Sequence, residues 1–225
     1  MPNATPHPIA QKNFKLGTMA LNALSHVLFL LLLAFAMSHV ASAGDPDITS
    51  DFVLPPNATV VDGSFFTFTG LRMAVNAAPP KAFTAFKATM AEFPALNGQS
   101  VSYAILMFPA GTVNPPHTHP RAAELLFLVD GFLEVGFVDT TNKLYTQRLQ
   151  PGDMFVFPKG LVHFQYCSSQ GPAVAISAFG SASAGTVSVP GSVFTTGIDD
   201  DILAKSFKTD VATIQMIKSG LAPKA

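Results

Sequence analysis

Four side chains in the middle of the chain could bind a transition metal. His117 and His119 are two residues apart, Glu124 follows five residues after His119, and His163 comes later. Imidazole nitrogens and a carboxylate oxygen, with no thiolate, suit manganese, iron, copper or zinc better than calcium or magnesium. The sequence therefore predicts a buried metal site built from these four residues.

The alternative is that the histidines are ordinary residues and that Glu124 is a solvated strand end, since a signal from one residue is weak. Of six histidines in the chain, only His117, His119 and His163 lie after residue 43. On an extended segment, residues i and i+2 point to the same face. Because two of these three histidines have that spacing, the pattern favours metal binding.

The elements that must position this site are predicted to be short strands between Ala82 and Phe194. The segments are rich in β-branched and aromatic residues, and turns such as DTTNK and QPGD separate them. They are SVSYAILMF, AELLFLVDGFLEVGFVD, KLYTQRL, DMFVFP, HFQYCSS and AVAISAF. Repeated short strands without helical periodicity predict an all-β fold, an antiparallel sandwich or barrel.

Two further features of the strands concern packing. Aromatic side chains on strands usually pack inside, so four are interpreted as core residues: Phe108, Phe127, Phe155 and Phe164. Cys167, the single cysteine, lies four residues beyond His163 and is expected on the same strand face. An unreactive thiol filling a small gap is favoured, and an oxidisable thiol beside the metal is the alternative.

Helical patterns replace the strands near the C-terminus. In DDDILAKSFKTDVATIQMIKSG, acidic residues precede one apolar-periodic run, and Thr209 is the candidate N-cap of a second run that ends at Gly220. Two short helices are predicted, packed outside the β-body or against a neighbouring subunit.

The N-terminus has the layout of a secretory signal peptide. An apolar core runs from Val27 to Met37, with Lys12 and Lys15 before it, and residues 41–43 (ASA) form a small-x-small cleavage site. A membrane anchor is the alternative, but spanning a bilayer takes about 20 apolar residues and this run is shorter. Cleavage is expected after Ala43, and Met19 is an alternative translation start.

Residues 44–80 are predicted to form an irregular arm with short extended pieces such as SFFTFTG. The sequon at Asn57 is the expected N-glycosylation site, whereas the sequon at Asn3 falls in the leader. The expected organisation is a signal peptide (1–43), this arm (44–80), a β-barrel (81–195) and a C-terminal helical segment (196–225).

Charge and cysteine content exclude several classes of protein. The 13 basic and 14 acidic residues give a formal net charge of -1, so no basic face is available for nucleic acid. Only 12% of the residues are charged, which often accompanies burial of surface in an oligomer. One cysteine allows no internal disulfide, so the core and subunit association must stabilise the fold.

Two motifs resemble those of the cupins. The first motif has the spacing of Gly111, His117, His119, Glu124 and Gly131, and the second that of Gly152, Pro158, Gly160 and His163. NPPHTHPRAAE, PKGLVHFQY and the GDPD after the leader resemble the plant germin-like proteins in particular. The resemblance implies a jelly-roll β-barrel in which His117, His119, Glu124 and His163 bind Mn(II), with water completing an octahedron.

The same resemblance implies a setting for the protein. It implies secretion to the extracellular space, apoplast or cell wall, with no membrane attachment after cleavage. It also implies a hexamer built as a trimer of dimers, in which the C-terminal helices clasp neighbouring subunits. Many germins carry a cysteine pair near the secreted N-terminus, and this chain lacks it, so the arm is expected to be held by packing alone.

The resemblance also implies two enzymatic activities, both on a small anion. In oxalate oxidase, the founding activity, two asparagines hold the dicarboxylate; Asn114 matches one, but Ala104 occupies the position of the other. No arginine or lysine is obviously placed to compensate, so oxalate is disfavoured. Superoxide dismutation needs only a redox-active manganese, an open coordination position and a proton source, and is favoured. A non-enzymatic storage or receptor-like role is the alternative, so whether the chain is an enzyme stays open.

Overall fold

The computed structural model describes residues 25–30, 44–56, 61–75, 78 and 80–222. Residues 25–30 are helical, and no helix within the described ranges is long and apolar enough to span a membrane. The predicted cleavage site at residues 41–43 and the sequon at Asn57 lie outside the described residues. The chain from residue 43 to residue 225 forms one compact unit, which contains the strands and the predicted metal ligands.

Ten described strands form two antiparallel sheets of five. They are β1 (Thr84–Ala88), β2 (Ser102–Phe108), β3 (Val113–Thr118), β4 (Glu124–Asp130), β5 (Leu133–Val138), β6 (Leu144–Leu149), β7 (Met154–Phe157), β8 (Val162–Tyr166), β9 (Ala173–Phe179) and β10 (Val187–Ser188). One sheet has the order β1-β2-β9-β4-β7 and the other β10-β3-β8-β5-β6. The predicted all-β jelly-roll class is confirmed.

The core is built by alternation of side chains along the strands. On β2, every second residue from Ser102 to Phe108 is buried, and the intervening side chains are more exposed. The largest buried apolar side chains of the cluster are Phe108, Leu126, Leu128, Leu133, Val135 and Phe157. They come from both sheets, so the two apolar faces close on each other.

The structure corrects the interpretation of two aromatic residues. Phe108 is 1% exposed and Phe155 packs against the same cluster, as expected. Phe164 is half-buried but lies outside that cluster, because its neighbours His163 and Gln165 take the inward positions of β8. Phe127 is 38% exposed, because its neighbours Leu126 and Leu128 take the inward positions of β4. Phe127 therefore points away from the core.

Three strands lie on segments that were not predicted as strands. They are β1, the two-residue β10, and β3, which contains Pro115 and Pro116 although prolines have no N–H for a sheet ladder. The β3–β8 register shifts between Asn114 and His117, where the two prolines lie. The irregularity lets the strand pass the prolines and still pair at His117.

Apart from the helical residues 25–30, the described helices are α1 (Arg72–Val75), α2 (Val189–Phe194), α3 (Asp200–Phe207) and α4 (Val211–Leu221), with a 3-10 turn at Pro94–Leu96. The two helices predicted between residues 199 and 220 are α3 and α4, and α2 is an additional helix within the segment expected to be barrel. The N-cap of α4 is Asp210, whose side chain accepts a hydrogen bond from the Thr213 N–H, and not Thr209. Leu203 and Ile214 are buried where the helices pack together.

The described part of the arm differs from the prediction in two ways. The segment SFFTFTG begins in a turn at residues 63–66, and none of its residues lies in a strand. The start of the arm is hydrogen-bonded to the barrel, because the Asp45 carboxylate accepts from the Ser181 hydroxyl and from the Ala182 N–H. The expectation that packing alone holds the arm was therefore wrong.

Candidate metal centre

The strands bring the four predicted ligands together in the core. His117 lies on β3 directly opposite His163 on β8, and their ring centroids are 4.2 Å apart. His119 follows β3, and Glu124 is the first residue of β4. The four ligand atoms all lie within 4.8 Å of one another, and no residue of the set is more than 6% exposed.

Aromatic side chains cover two of the imidazoles. Phe157, opposite Glu124 in the β4–β7 pair, stacks on His163 with a centroid distance of 4.5 Å. Phe179 meets His119 edge-on at 4.8 Å. These rings limit water access from their side, so the cluster lies in a low-dielectric environment.

Backbone carbonyls fix the orientation of all three imidazoles. Nδ1 of His117 lies 2.8 Å from the Pro115 carbonyl oxygen, and Nδ1 of His163 lies 2.8 Å from that of Leu161. Nδ1 of His119 contacts the Gly185 carbonyl oxygen in the same way. A carbonyl oxygen only accepts, so each Nδ1 carries the hydrogen and donates it. The Nε2 lone pair of every neutral ring is therefore free for the cluster.

This arrangement suits a cation at its centre. Glu124 Oε2 lies 3.0 Å from Nε2 of His119 and 3.1 Å from Nε2 of His163. Lone pairs that face a carboxylate at these distances repel it, unless a metal ion or a proton lies between them. The donor set of three nitrogens and one oxygen thus fits a divalent transition metal.

The protonation states suit metal binding at neutral pH. In the metal-free protein, burial raises the pKa of the Glu124 carboxyl, but hydrogen bonds from His119 and His163, when their Nε2 atoms carry a proton, outweigh burial and lower the pKa to about 2. Burial, together with the neighbouring His163, lowers the pKa of His117 to about 4. Glu124 is then ionised and His117 is neutral, which are the forms that ligate a metal.

Two polar residues that the sequence analysis missed hold the other carboxylate oxygen. Glu124 Oε1 accepts hydrogen bonds from the Ser177 hydroxyl at 2.5 Å and from the Gln165 amide at 3.3 Å. Both side chains are fully buried. Gln165 lies two residues after His163, so strand parity could have placed it on the ligand face.

Asn114 is close to the cluster but is already engaged. Its Nδ2 donates to Oε1 of Gln165 at 2.7 Å, and it lies 3.5 Å from Nε2 of His117. The predicted role of Asn114 as a free amide donor for substrate therefore competes with its role in orienting Gln165.

A cavity of about 320 Å³ opens beside the cluster. Ala104, Asn114, His117 and Glu124 line it together with Lys87. The expectation that no lysine lies within the site was wrong, because β1, which carries Lys87, was not predicted as a strand.

Cys167 lies in the apolar core rather than in the ligand cluster. The residue is fully buried with Phe108 and Leu133, and its Sγ contacts the Ser169 hydroxyl at 3.4 Å and the Gly171 carbonyl at 3.3 Å. This environment favours the interpretation of a gap-filling thiol.

Comparisons with known proteins show what the chain resembles. The Cupin family model matches residues 70–215. Germin-like protein 9-3 of Oryza sativa subsp. japonica is 64% identical over 208 residues, which cover 88% of this chain and 97% of that protein. Putative germin-like protein 9-2 of the same organism is 62% identical over 210 residues, which cover 91% of this chain and 98% of that protein. A solved structure of oxalate oxidase superposes with a TM-score of 0.71 at 31% identity, over 81% of this chain and all of that chain.

Proposed function

The chain belongs to the germin-like proteins of the cupin superfamily, and from this we propose that it is a secreted manganese protein that dismutes superoxide. The observation that carries the proposal is the set of three carbonyl-oriented imidazoles around one ionised carboxylate. Without a positive charge between them, the ionised carboxylate and the imidazole lone pairs repel each other. His117, His119, Glu124 and His163 would hold the metal.

The charge of the site suits an anionic substrate. Bound manganese would supply one-electron redox chemistry and a net charge of about +1 after Glu124 is counted. Ser177 and Gln165 keep Glu124 oriented and ionised, and the backbone carbonyls keep the Nε2 atoms aimed at the centre. Two superoxide anions and two protons give hydrogen peroxide and dioxygen, so the reaction needs no large set of substrate donors.

Oxalate oxidation is the second candidate, supported by the likeness to oxalate oxidase. The amide donors that would hold a dicarboxylate are depleted here, since Ala104 has no amide and Asn114 donates to Gln165, and the lysine that lines the cavity, Lys87, is exposed. Because a small charged substrate needs positioned donors, superoxide is the better match. A storage or receptor-like role would leave the metal as a purely structural ion.

The proposed setting is extracellular, with cleavage after residue 43, glycosylation at Asn57 and assembly into a hexamer. Support for assembly comes from the outer face of the first sheet, where five apolar side chains are exposed: Leu125, Phe127, Val129, Met154 and Val156. Contiguous apolar patches of this kind are commonly covered by a subunit. The C-terminal helices also expose Ile202, Phe207 and Met216.

The decisive test compares two Glu→Gln variants that remove the same charge. Glu124 is buried among the imidazoles, whereas Glu134 lies exposed on β5. Metal content by elemental mass spectrometry and superoxide dismutation are measured on secreted protein. We expect near-stoichiometric manganese and activity in the wild type and in Glu134→Gln, and loss of both in Glu124→Gln. A metal-free wild type that stays folded would contradict both enzymatic candidates. A wild type that binds manganese but does not dismute superoxide would contradict the dismutase proposal.

A further inference from the structure

Two residues after the predicted ligand His119, Arg121 carries a charge that the proposed redox chemistry does not use. Pro120, whose φ angle is fixed by its ring, lies between them. Arg121 is exposed, and it forms no ion pair with any residue in the described ranges. Its side chain is directed instead to the loop of residues 180–186, which joins β9 to β10.

Three hydrogen bonds join Arg121 to this loop. Its Nε donates to the Ser183 carbonyl oxygen, and its Nη2 donates to the Ser183 hydroxyl at 3.1 Å. Its backbone N–H donates to the Ala184 carbonyl oxygen at 3.2 Å. Because a guanidinium presents its donors in a rigid planar fork, two acceptors on one residue fix its orientation. Arg121 therefore clamps residues 183 and 184 to the segment that follows β3.

The next residue of the loop, Gly185, lies directly against the guanidinium. A methyl group on its Cα would lie 2.8 Å from Nη2 of Arg121, and its φ angle of +72° is in the left-handed region. Glycine allows both this backbone conformation and the close approach. The carbonyl oxygen of Gly185 accepts the hydrogen bond from Nδ1 of His119. The guanidinium thus lies against the residue that orients one of the predicted metal ligands.

The start of the loop is held without Arg121. Ser181 and Ala182 bind the Asp45 carboxylate. Throughout the part of the chain that the structure describes, the hydrogen bonds that reach residues 183 and 184 from outside the loop come from Arg121, two of them from its side chain. Loss of this side chain should therefore loosen the second half of the loop and leave the first half in place.

We propose that Arg121 is a positioning residue, which holds the Gly185 carbonyl oxygen against Nδ1 of His119 and so fixes the ring for metal binding. This role rests on the metal site of the proposed function, because Arg121 acts on the metal through Gly185 and His119. A ring without this acceptor can rotate, or can carry its hydrogen on Nε2, where the hydrogen blocks the lone pair that binds the metal. Loss of such support for a ligating histidine typically lowers metal affinity by about 10- to 100-fold.

Metal affinity of the secreted protein, measured by competition with a chromophoric chelator, tests the proposal. Arg121→Met should lower the affinity about tenfold, at the low end of the range because the side chain acts one contact away from the ring. Arg148→Met is the matched control, since Arg148 is exposed on β6 with its guanidinium 5.2 Å from the ring centroid of Phe132, and it should keep the affinity. Unchanged affinity in Arg121→Met would overturn the proposal.

The conservative variant Arg121→Lys separates the clamp from the charge. Lysine keeps the positive charge but lacks the planar fork that reaches both acceptors of Ser183 together. Its metal affinity should therefore lie between those of the wild type and Arg121→Met. Full wild-type affinity in Arg121→Lys would mean that only the charge matters, and would contradict the clamp.

A second measurement reports on the His119 ring and needs no metal. Solid-state NMR of chelator-treated protein, labelled in its histidine rings, detects the Nδ1 proton, whose resonance moves downfield when a carbonyl accepts it. The His119 signal, assigned by its loss in His119→Gln, should be downfield in the wild type and in Arg148→Met, and should move upfield in Arg121→Met. A fall in metal affinity without this change would indicate a general loss of stability and overturn the positioning role. Since no metal is present, the spectra test Arg121 even if the wild type binds no manganese, so the two proposals can fail separately.

Discussion

Asn114 and Gln165 form a hydrogen-bonded pair across β3 and β8, with Asn114 Nδ2 2.7 Å from Gln165 Oε1. The contact occupies the amide oxygen of Gln165 and turns its NH₂ group to Glu124 Oε1. Asn114 therefore acts on the carboxylate ligand through Gln165. An amide that family resemblance assigns to substrate is, in this chain, part of the support of the metal centre.

Replacing Gln165 by leucine should weaken metal binding. The change removes a donor from Glu124 and leaves the amide of Asn114 without its partner, and loss of such support typically lowers metal affinity about 10-fold or more. Affinity is measured by competition with a chromophoric chelator. Gln147→Leu is the matched control, because Gln147 is exposed on β6 and, like Gln165, pairs with Val135. Equal affinities in the two variants would contradict the supporting role.

Replacing Ser177 by alanine should act on the same oxygen. The hydroxyl is buried and donates to Glu124 Oε1 at 2.5 Å, so its loss leaves a charged oxygen with one weaker partner. A loss of about 10-fold in metal affinity is expected. Ser102→Ala is the control, since its buried hydroxyl donates instead to the Ser181 carbonyl. Ser102→Ala should lower thermal stability and keep the metal affinity; a similar affinity loss in both would indicate a general packing effect.

The four ligands were predictable because spacing and strand parity act within short segments. Strand parity also places Gln165 on the ligand face, but the contacts of Gln165 and Ser177 with Glu124 were not predictable, since they depend on the register between β4, β8 and β9. Lys87 was missed for a related reason, because the strand that carries it was not predicted. Phe127 was misplaced because ELLFLVD is apolar on both faces, and an unbroken apolar run does not reveal which residues point inward.

Acid should destabilise the metal-free protein through His117. Its pKa is 6.5 in the unfolded chain and about 4 in the folded protein, so between these values only the unfolded chain binds the proton. The free energy of unfolding therefore falls as the pH drops from 6.5 to 4. Urea unfolding of chelator-treated protein across this range should show the trend, with a smaller slope for His117→Gln. Glu134→Gln should keep the wild-type slope, and an unchanged slope in His117→Gln would refute the assignment.

The N-cap of α4 is Asp210, one residue after the predicted Thr209, and substitutions at both positions can test this assignment. Thr209 and Asp210 are both good N-cap residues, so sequence alone does not choose between them. In the structure, Asp210 Oδ1 accepts from the Thr213 N–H at 2.9 Å, and Asp210 Oδ2 accepts from the Thr213 hydroxyl at 3.0 Å. Asp210→Ala should therefore lower the free energy of unfolding by about 1 kcal/mol. Thr209→Ala should have little effect in the same urea titration, and the reverse order would mean that the helix begins one residue earlier.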